Sequence, residues 1–476
     1  MKLAWTDALL MVFFGGCGVL TVLASRAYPG EMLVYLLFSL TVNGLLYCGL
    51  RRDGIFFDLF IGTLFWLGYW LKFSVRMTFF DGKFHESTGD FDFSGSAYDR
   101  ALIVVTVGVL GLLIARILRT KFIFKYPASE SQGSLGGLQA YYERHRRAVW
   151  AAVLLLAIAV ALANAYFGIY QRGLAPRTTL PFQLGGVLTW YLLFGGASIS
   201  ALMLDIELKL FKMVARAVIV IAILETFLSN LSMVSRGMIL NAGVLIAGLF
   251  VALRVYGVSW KRGRLLFACG LTCILFATSI FLVNYVRQQQ FYGDLITTTA
   301  PDVGRLSADT KILFLDRWVG MEGAMAVSSY DHLGWPVLER AWKEPFRNIG
   351  SGIFDREISK GISDEREKWL VENNVHFITI PGILAFFFYP GSYSFLFIAM
   401  MLVGGFGAAI EILTYRLAGH NRILSALLAF VIAYRYAHFG YAPAHSYLFL
   451  TSIILNIAIF RVADMWLLRR YRHAYG

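Results

Sequence analysis

A few residues in this chain have the makings of a reactive site, and they sit where apolar runs begin or end. Arg236 interrupts "SNLSMVSRGMILNAGVLIAG", between two long apolar stretches. Arg287 follows another apolar run in "FLVNYVRQQQFYGD". Arg435, with His438 and His445 behind it, closes a third in "AYRYAHFGYAPAH". Arg172 and Arg177 share a connecting segment, and Arg317 and Glu322 share "DTKILFLDRWVGMEGAMAVSSY". His376 lies in "WLVENNVHFITIPGILAFFFYPGS", just before the chain turns apolar again. Arginine stays charged and offers a planar fork of donors, so several converging from separate helix ends suit a phosphate or pyrophosphate. Histidine titrates near neutrality and suits a general base. Glu322 is either a second base or the ion-pair partner of an arginine. Plainer readings stand beside these. An edge arginine also anchors a helix or pairs internally, here with Glu225. A lone histidine is more often structural.

The elements that hold these residues are membrane spans. Of 476 residues, 58% are hydrophobic and 15% charged, and the mean hydropathy is +0.63. Apolar runs of roughly twenty residues recur, which predicts an all-α polytopic membrane protein. The runs are continuous, not alternating, which argues against a β-barrel. About twelve spans are expected, near residues 5–24, 32–50, 55–73, 100–118, 148–170, 186–206, 214–229, 238–257, 265–285, 391–413, 421–438 and 446–463. The division is spans one to nine in 1–285, a large loop in 286–376, and re-entry with spans ten to twelve in 377–476.

Basic residues choose the orientation. Arg51 and Arg52, the group from Arg119 to Arg147, Lys209 and Lys212, Lys261 to Arg264, Arg416 and Arg422, and Arg469 to Arg472 all fall on one side if both termini are cytoplasmic. The net charge of +13 is therefore read as a topology signal, and nucleic acid is not an expected partner. Arg236 falls on the opposite side and breaks the rule. The other outer segments are 74–99, 171–185 and 286–376. Cys17, Cys48, Cys269 and Cys273 lie in apolar runs without disulfide or zinc spacing. The first run is followed by Arg26 and no small-residue cleavage site, so no cleavable signal peptide is expected.

The outer segments carry further signals. The stretch 309–330 has a helical look, with Ile312, Leu315, Val319 and Met321 near one face. The stretch "SKGISDEREKWLVENN" reads as a solvated amphipathic helix leading to His376. "GDFDFSG" supplies Asp90 and Asp92, a pair that either holds a divalent cation or is an ordinary Asp-rich loop. There is no Walker-type phosphate loop, no dinucleotide fingerprint and no G-x-S-x-G elbow. An enzyme built this way needs a substrate that arrives already activated.

Taken together, the chain resembles the bacterial O-antigen polymerase and ligase superfamily, which includes the oligosaccharide repeat-unit polymerases. Four features carry the resemblance. They are about twelve spans, a large outer loop between spans nine and ten, Ser235-Arg236-Gly237 opening span eight, and His376 before "PGILAFFFYPG". The ligase-like pattern has His-Asn where this chain has His376-Phe377, and "DRWVGMEG" looks like the polymerases. The resemblance implies a GT-C-like, metal-independent glycosyltransferase without a cofactor in the bacterial inner membrane. Donor and acceptor would be undecaprenyl-pyrophosphate-linked oligosaccharides, with a chain-length regulator and a flippase as candidate partners. It implies Arg236, Arg287, Arg317, Arg435 and Arg172 at the pyrophosphate, and His376 or Glu322 as base. The alternatives are a ligase acting on lipid A-core, a lipid-linked oligosaccharide flippase, and a structural partner of an envelope complex. Span middles nearly free of charge are expected, which disfavours the flippase.

Overall fold

The computed structural model describes residues 2–51, 54–127, 135–172, 176–235, 237, 239–258, 262–292, 315–316, 318–344, 349–373, 376–377, 379–439 and 446–475. At 2–7, 183, 262, 287–292, 376, 438–439 and 471–475 it describes the backbone alone.

The chain is an almost wholly helical, multi-pass membrane protein. Among the described residues, nine helices are long and apolar enough to cross a membrane. In hydrocarbon a backbone must satisfy its own polar groups, and apolar helices do this. The helices are α1 (Lys2–Ala27), α2 (Met32–Leu50), α3 (Phe56–Phe65), α4 (Lys72–Phe79), α5 (Gly95–Phe122) and α6 (Gly136–Phe167). Then come α7 (Leu184–Trp190), α8 (Gly196–Phe211), α9 (Arg216–Ser232), α10 (Leu240–Val255) and α11 (Arg262–Tyr292). Short helices follow: α12 (Met321–Ser328), α13 (Trp335–Lys343), α14 (Asp364–Glu372) and α15 (Ile383–Phe388). The last are α16 (Tyr393–Leu417), α17 (Arg422–Phe439) and α18 (Ser446–Tyr475). Each of the twelve expected spans coincides with a helix or a run of helices. Those at α9, α10 and α17 are not among the nine.

Contacts divide the chain into two compact units. One comprises Met1–Lys125, Ile312–Gly407 and Ala433–His445. The other comprises Tyr126–Lys311, Ala408–Ile432 and Ser446–Gly476. In the second, α6 packs on α9 and α18. Arg146 grips buried Glu207 through two nitrogens at 2.6 and 2.7 Å. Asp464 accepts the Gly137 and Leu138 N–H groups that open α6, which satisfies donors a helix start leaves free.

The first unit positions the candidate site. Here α2 packs on α3 and α5, and α12 packs on α5 and α15. The run Phe56–Phe79 is two-thirds buried, whereas Ala8–Ala27 is mostly exposed, so the former is central and the latter peripheral. Between α3 and α4 the helix widens into a π turn at Trp66–Leu71. Such a turn adds a residue and rotates everything after it relative to what came before. The third span ends at 73 in the sequence reading, yet the helix runs on to Phe79. In this added length Arg76 pairs with Asp316.

Candidate functional site

Lys72 and Arg76 lie one turn apart on α4, so they share a face. Lys72 is 1% exposed. Its ammonium is 2.5 Å from Glu322 Oε1 and donates to the carbonyls of Asp316 and Trp318, both at 3.1 Å. Three partners match the three N–H groups a lysine carries. Arg76 Nε donates to Asp316 Oδ1 at 3.2 Å, and its Nη2 pairs with Asp316 Oδ2. Arg76 Nη1 donates to the Lys83 carbonyl at 3.1 Å.

The motif "DRWVGMEG" thereby reads as a clamp. Asp316 and Glu322 supply the anions. Gly320 lies against Gly68 in the π turn, and Gly68 has no room for a Cβ beside the Val319 carbonyl. Gly323 is equally confined by the Pro381 carbonyl. From Met321 to Val327 every residue is buried. Burial pushes the Glu322 carboxyl up, and the Lys72 ammonium opposes this. The glutamate expected to be a base or an arginine's partner is a lysine's partner.

Around His376 the backbone is held by acids. Residues His376–Phe377 form β2, which pairs in parallel with β1 (Gly350–Ser351), and Gly350 faces His376. Glu367 accepts Ser351 N–H at 3.1 Å, and Glu344 accepts Ile353 N–H at 2.8 Å. Both oxygens of Asp355 accept Thr379 N–H, at 3.0 and 3.2 Å. Burial raises the Asp355 carboxyl to about 7, against the pull of the Thr379 bonds. It raises the Glu344 carboxyl as well.

The expected residues fall in both units. Glu322, His376 and Arg435 belong to the first unit, Arg172 and Arg287 to the second. Arg435 is half-buried on α17, and the half-buried Arg172 donates its N–H to the Met233 carbonyl at 2.9 Å. Arg287 continues α11, and His438 lies on α17, both as backbone only. Arg236, Arg317 and His445 lie outside the described residues. Asp90 pairs with Lys360 at 2.5 Å, and Asp92 accepts Ser94 N–H at 2.9 Å, so each has its own protein partner. Glu225 is buried midway along α9 and accepts Ser229 Oγ at 3.0 Å. Glu225 is thus an ionisable group in the middle of an apolar helix, where few were expected, whereas Lys72 lies toward the end of its span.

The sequence reading missed Lys72, Arg76, Asp316 and Asp355. A signal was present for the first two. They are cations i and i+4 at the end of span three opposite Arg51, so they break the positive-inside pattern just as Arg236 does.

No protein-family model, no curated protein and no solved structure matches the chain.

Proposed function

We propose that the chain is a membrane glycosyltransferase that polymerises undecaprenyl-pyrophosphate-linked oligosaccharide repeat units. The product would be O-antigen or a similar surface polysaccharide, made at the periplasmic face of the bacterial inner membrane. One observation carries this most: the "DRWVGMEG" segment is clamped by Lys72 and Arg76 onto the helix end opposite Asp58 and Arg119. Under the orientation proposed from the basic residues, that is the periplasmic end. A segment fixed this firmly supports preorganised chemistry there, where charge stabilisation acts best.

In the proposed reaction an acceptor hydroxyl attacks C1 of the donor's reducing-end sugar. The C1–O bond to undecaprenyl pyrophosphate breaks, and the hydroxyl proton passes to His376. Arg236 and Arg287 are assigned to the leaving pyrophosphate. The acids that hold the strand of His376 support a positioned base. Glu322 is assigned to the clamp, since its carboxylate is engaged by the Lys72 ammonium.

The test uses purified protein, lipid-linked repeat unit, no nucleotide, and EDTA. A ladder of lengthening chains that disappears with Arg236→Ala is expected. Transfer only after lipid A-core is added would point to a ligase. Glu225, buried midway along α9, is a feature a flippase would share. No transfer to either acceptor would overturn the glycosyltransferase and favour that reading.

A further inference from the structure

Beside the clamp lies a cleft of about 670 Å³ that the reaction above does not use. Met77, Asp81, Lys83, Phe84, Phe93 and Tyr98 line it, all within the first unit. Its size falls in the range of small-ligand sites, large enough for two or three sugar rings.

The cleft is built, not incidental. Its floor is an aromatic cluster: Phe84 stacks on Phe73, and Tyr98 lies edge-on to Phe73 and Phe91. Phe93 stays 47% exposed although it packs on that cluster, with its ring centroid 6.3 Å from that of Tyr98. Asp81 and Phe93 both adopt left-handed backbone, φ +50° and +57°. Non-glycine residues are held this way at a cost, where the surroundings over-determine them. The turn that presents Asp81 and Lys83 is tied down by Arg76, which holds the Lys83 carbonyl and Asp316 together. One guanidinium therefore fixes both the clamp and the lip of the cleft.

The lining suggests its ligand. An exposed aromatic face stacks on the C–H face of a pyranose, and a carboxylate and an ammonium at the rim bond its hydroxyls. We propose that the cleft is a saccharide subsite, with Phe93 as platform and Asp81 and Lys83 as polar contacts. It takes one or more sugar rings of a membrane-linked glycan. The assignment rests on the glycosyltransferase reading and adds to it a place where the glycan is gripped. A phospholipid headgroup is the competing occupant, because exposed aromatics also line membrane interfaces.

The test uses the full chain in phosphatidylglycerol nanodiscs. The probe is repeat-unit oligosaccharide released by mild acid from the producing cell's surface polysaccharide. Saturation-transfer NMR is expected to show binding by the wild type. Phe93→Ala and Asp81→Asn should bind about tenfold more weakly or worse. Lys83→Ala, at an exposed side chain, is the second variant should the first two misfold, and a loss of at least a few-fold is expected. If all correctly folded variants bind as the wild type does, the subsite is wrong, whatever the polymerisation assay shows. If the wild type gives no saccharide signal, and cross-relaxation at the cleft comes from phosphatidylglycerol alone, the cleft is a lipid site and the proposal fails. Binding lost in the variants, in a protein that makes no polymer, would uphold the subsite and sink only the polymerase.

Discussion

The two ends of Phe56–Phe79 handle buried charge differently. At one end Asp58 meets Arg119, and Arg116 at 3.5 Å, both from the neighbouring span α5. At the other end Lys72 and Arg76 meet Glu322 and Asp316, from a segment that is not a span. The first arrangement ties span to span, with partners 61 residues apart for the Arg119 contact. The second draws a distant segment down among the helices. Buried ion pairs add little net stability over apolar packing, but a pair broken on one side is costly. Charge at the Lys72 end thus specifies where a loop goes.

Removing one partner should have the largest effect. Lys72→Met leaves Glu322 buried and uncompensated, and should cost about 3–5 kcal/mol. Thermal unfolding in detergent measures it. Lys72→Met combined with Glu322→Leu should recover much of that loss. A single variant as stable as wild type would mean that the clamp is not formed.

Next in size is the acid that anchors the strand of His376. The folded carboxyl of Asp355 titrates near 7, above its ordinary value of 3.8. Below about pH 4 the group is protonated in folded and unfolded chains alike and affects nothing. Between there and pH 7 the unfolded chain ionises first, so rising pH lowers stability, by about 4 kcal/mol at most. Above pH 7 the penalty is constant. Asp355→Asn should therefore gain on wild type as pH rises from 4 to 7, read as melting temperature across that range. Parallel curves for the two proteins would contradict the burial argument.

Gly323→Ala tests the steric fit of the clamp segment. Its methyl meets the Pro381 carbonyl, and a loss of about 1–3 kcal/mol is expected, with faster proteolysis of the clamp segment. The smallest effect belongs to Lys360→Ala. The Lys360–Asp90 pair is exposed, and its loss should shift stability by less than about 1 kcal/mol. A larger shift would mean that this surface pair shares the clamp's role.

Much of the helical framework was legible in the sequence, because hydrocarbon length and backbone hydrogen bonding constrain it strongly. Helices lie at every expected span, and Ser363 caps α14 where a solvated helix was expected before His376. The site was less legible. Lys72 was hidden inside an apolar run, and Arg76 read as the start of a loop. Their meaning depends on Asp316 and Glu322, and nothing local announces so distant a pairing. The glycines of "DRWVGMEG" were visible, but their reason is the approach of Gly68 and Pro381, which only the fold supplies.

The clamp also has a consequence in time. Lys72 and Asp316 are 244 residues apart. At roughly 5–20 residues per second, a ribosome needs about 12–50 s to make what lies between them. Throughout that interval span three exists without the Asp316 carbonyl that Lys72 bonds and without the Glu322 carboxylate that neutralises it. The nascent helix must hold Lys72 near the headgroups, or lend it to a lipid phosphate, until the second half of the chain arrives. Membrane insertion of this span is thus finished by residues that have not yet been translated when it begins.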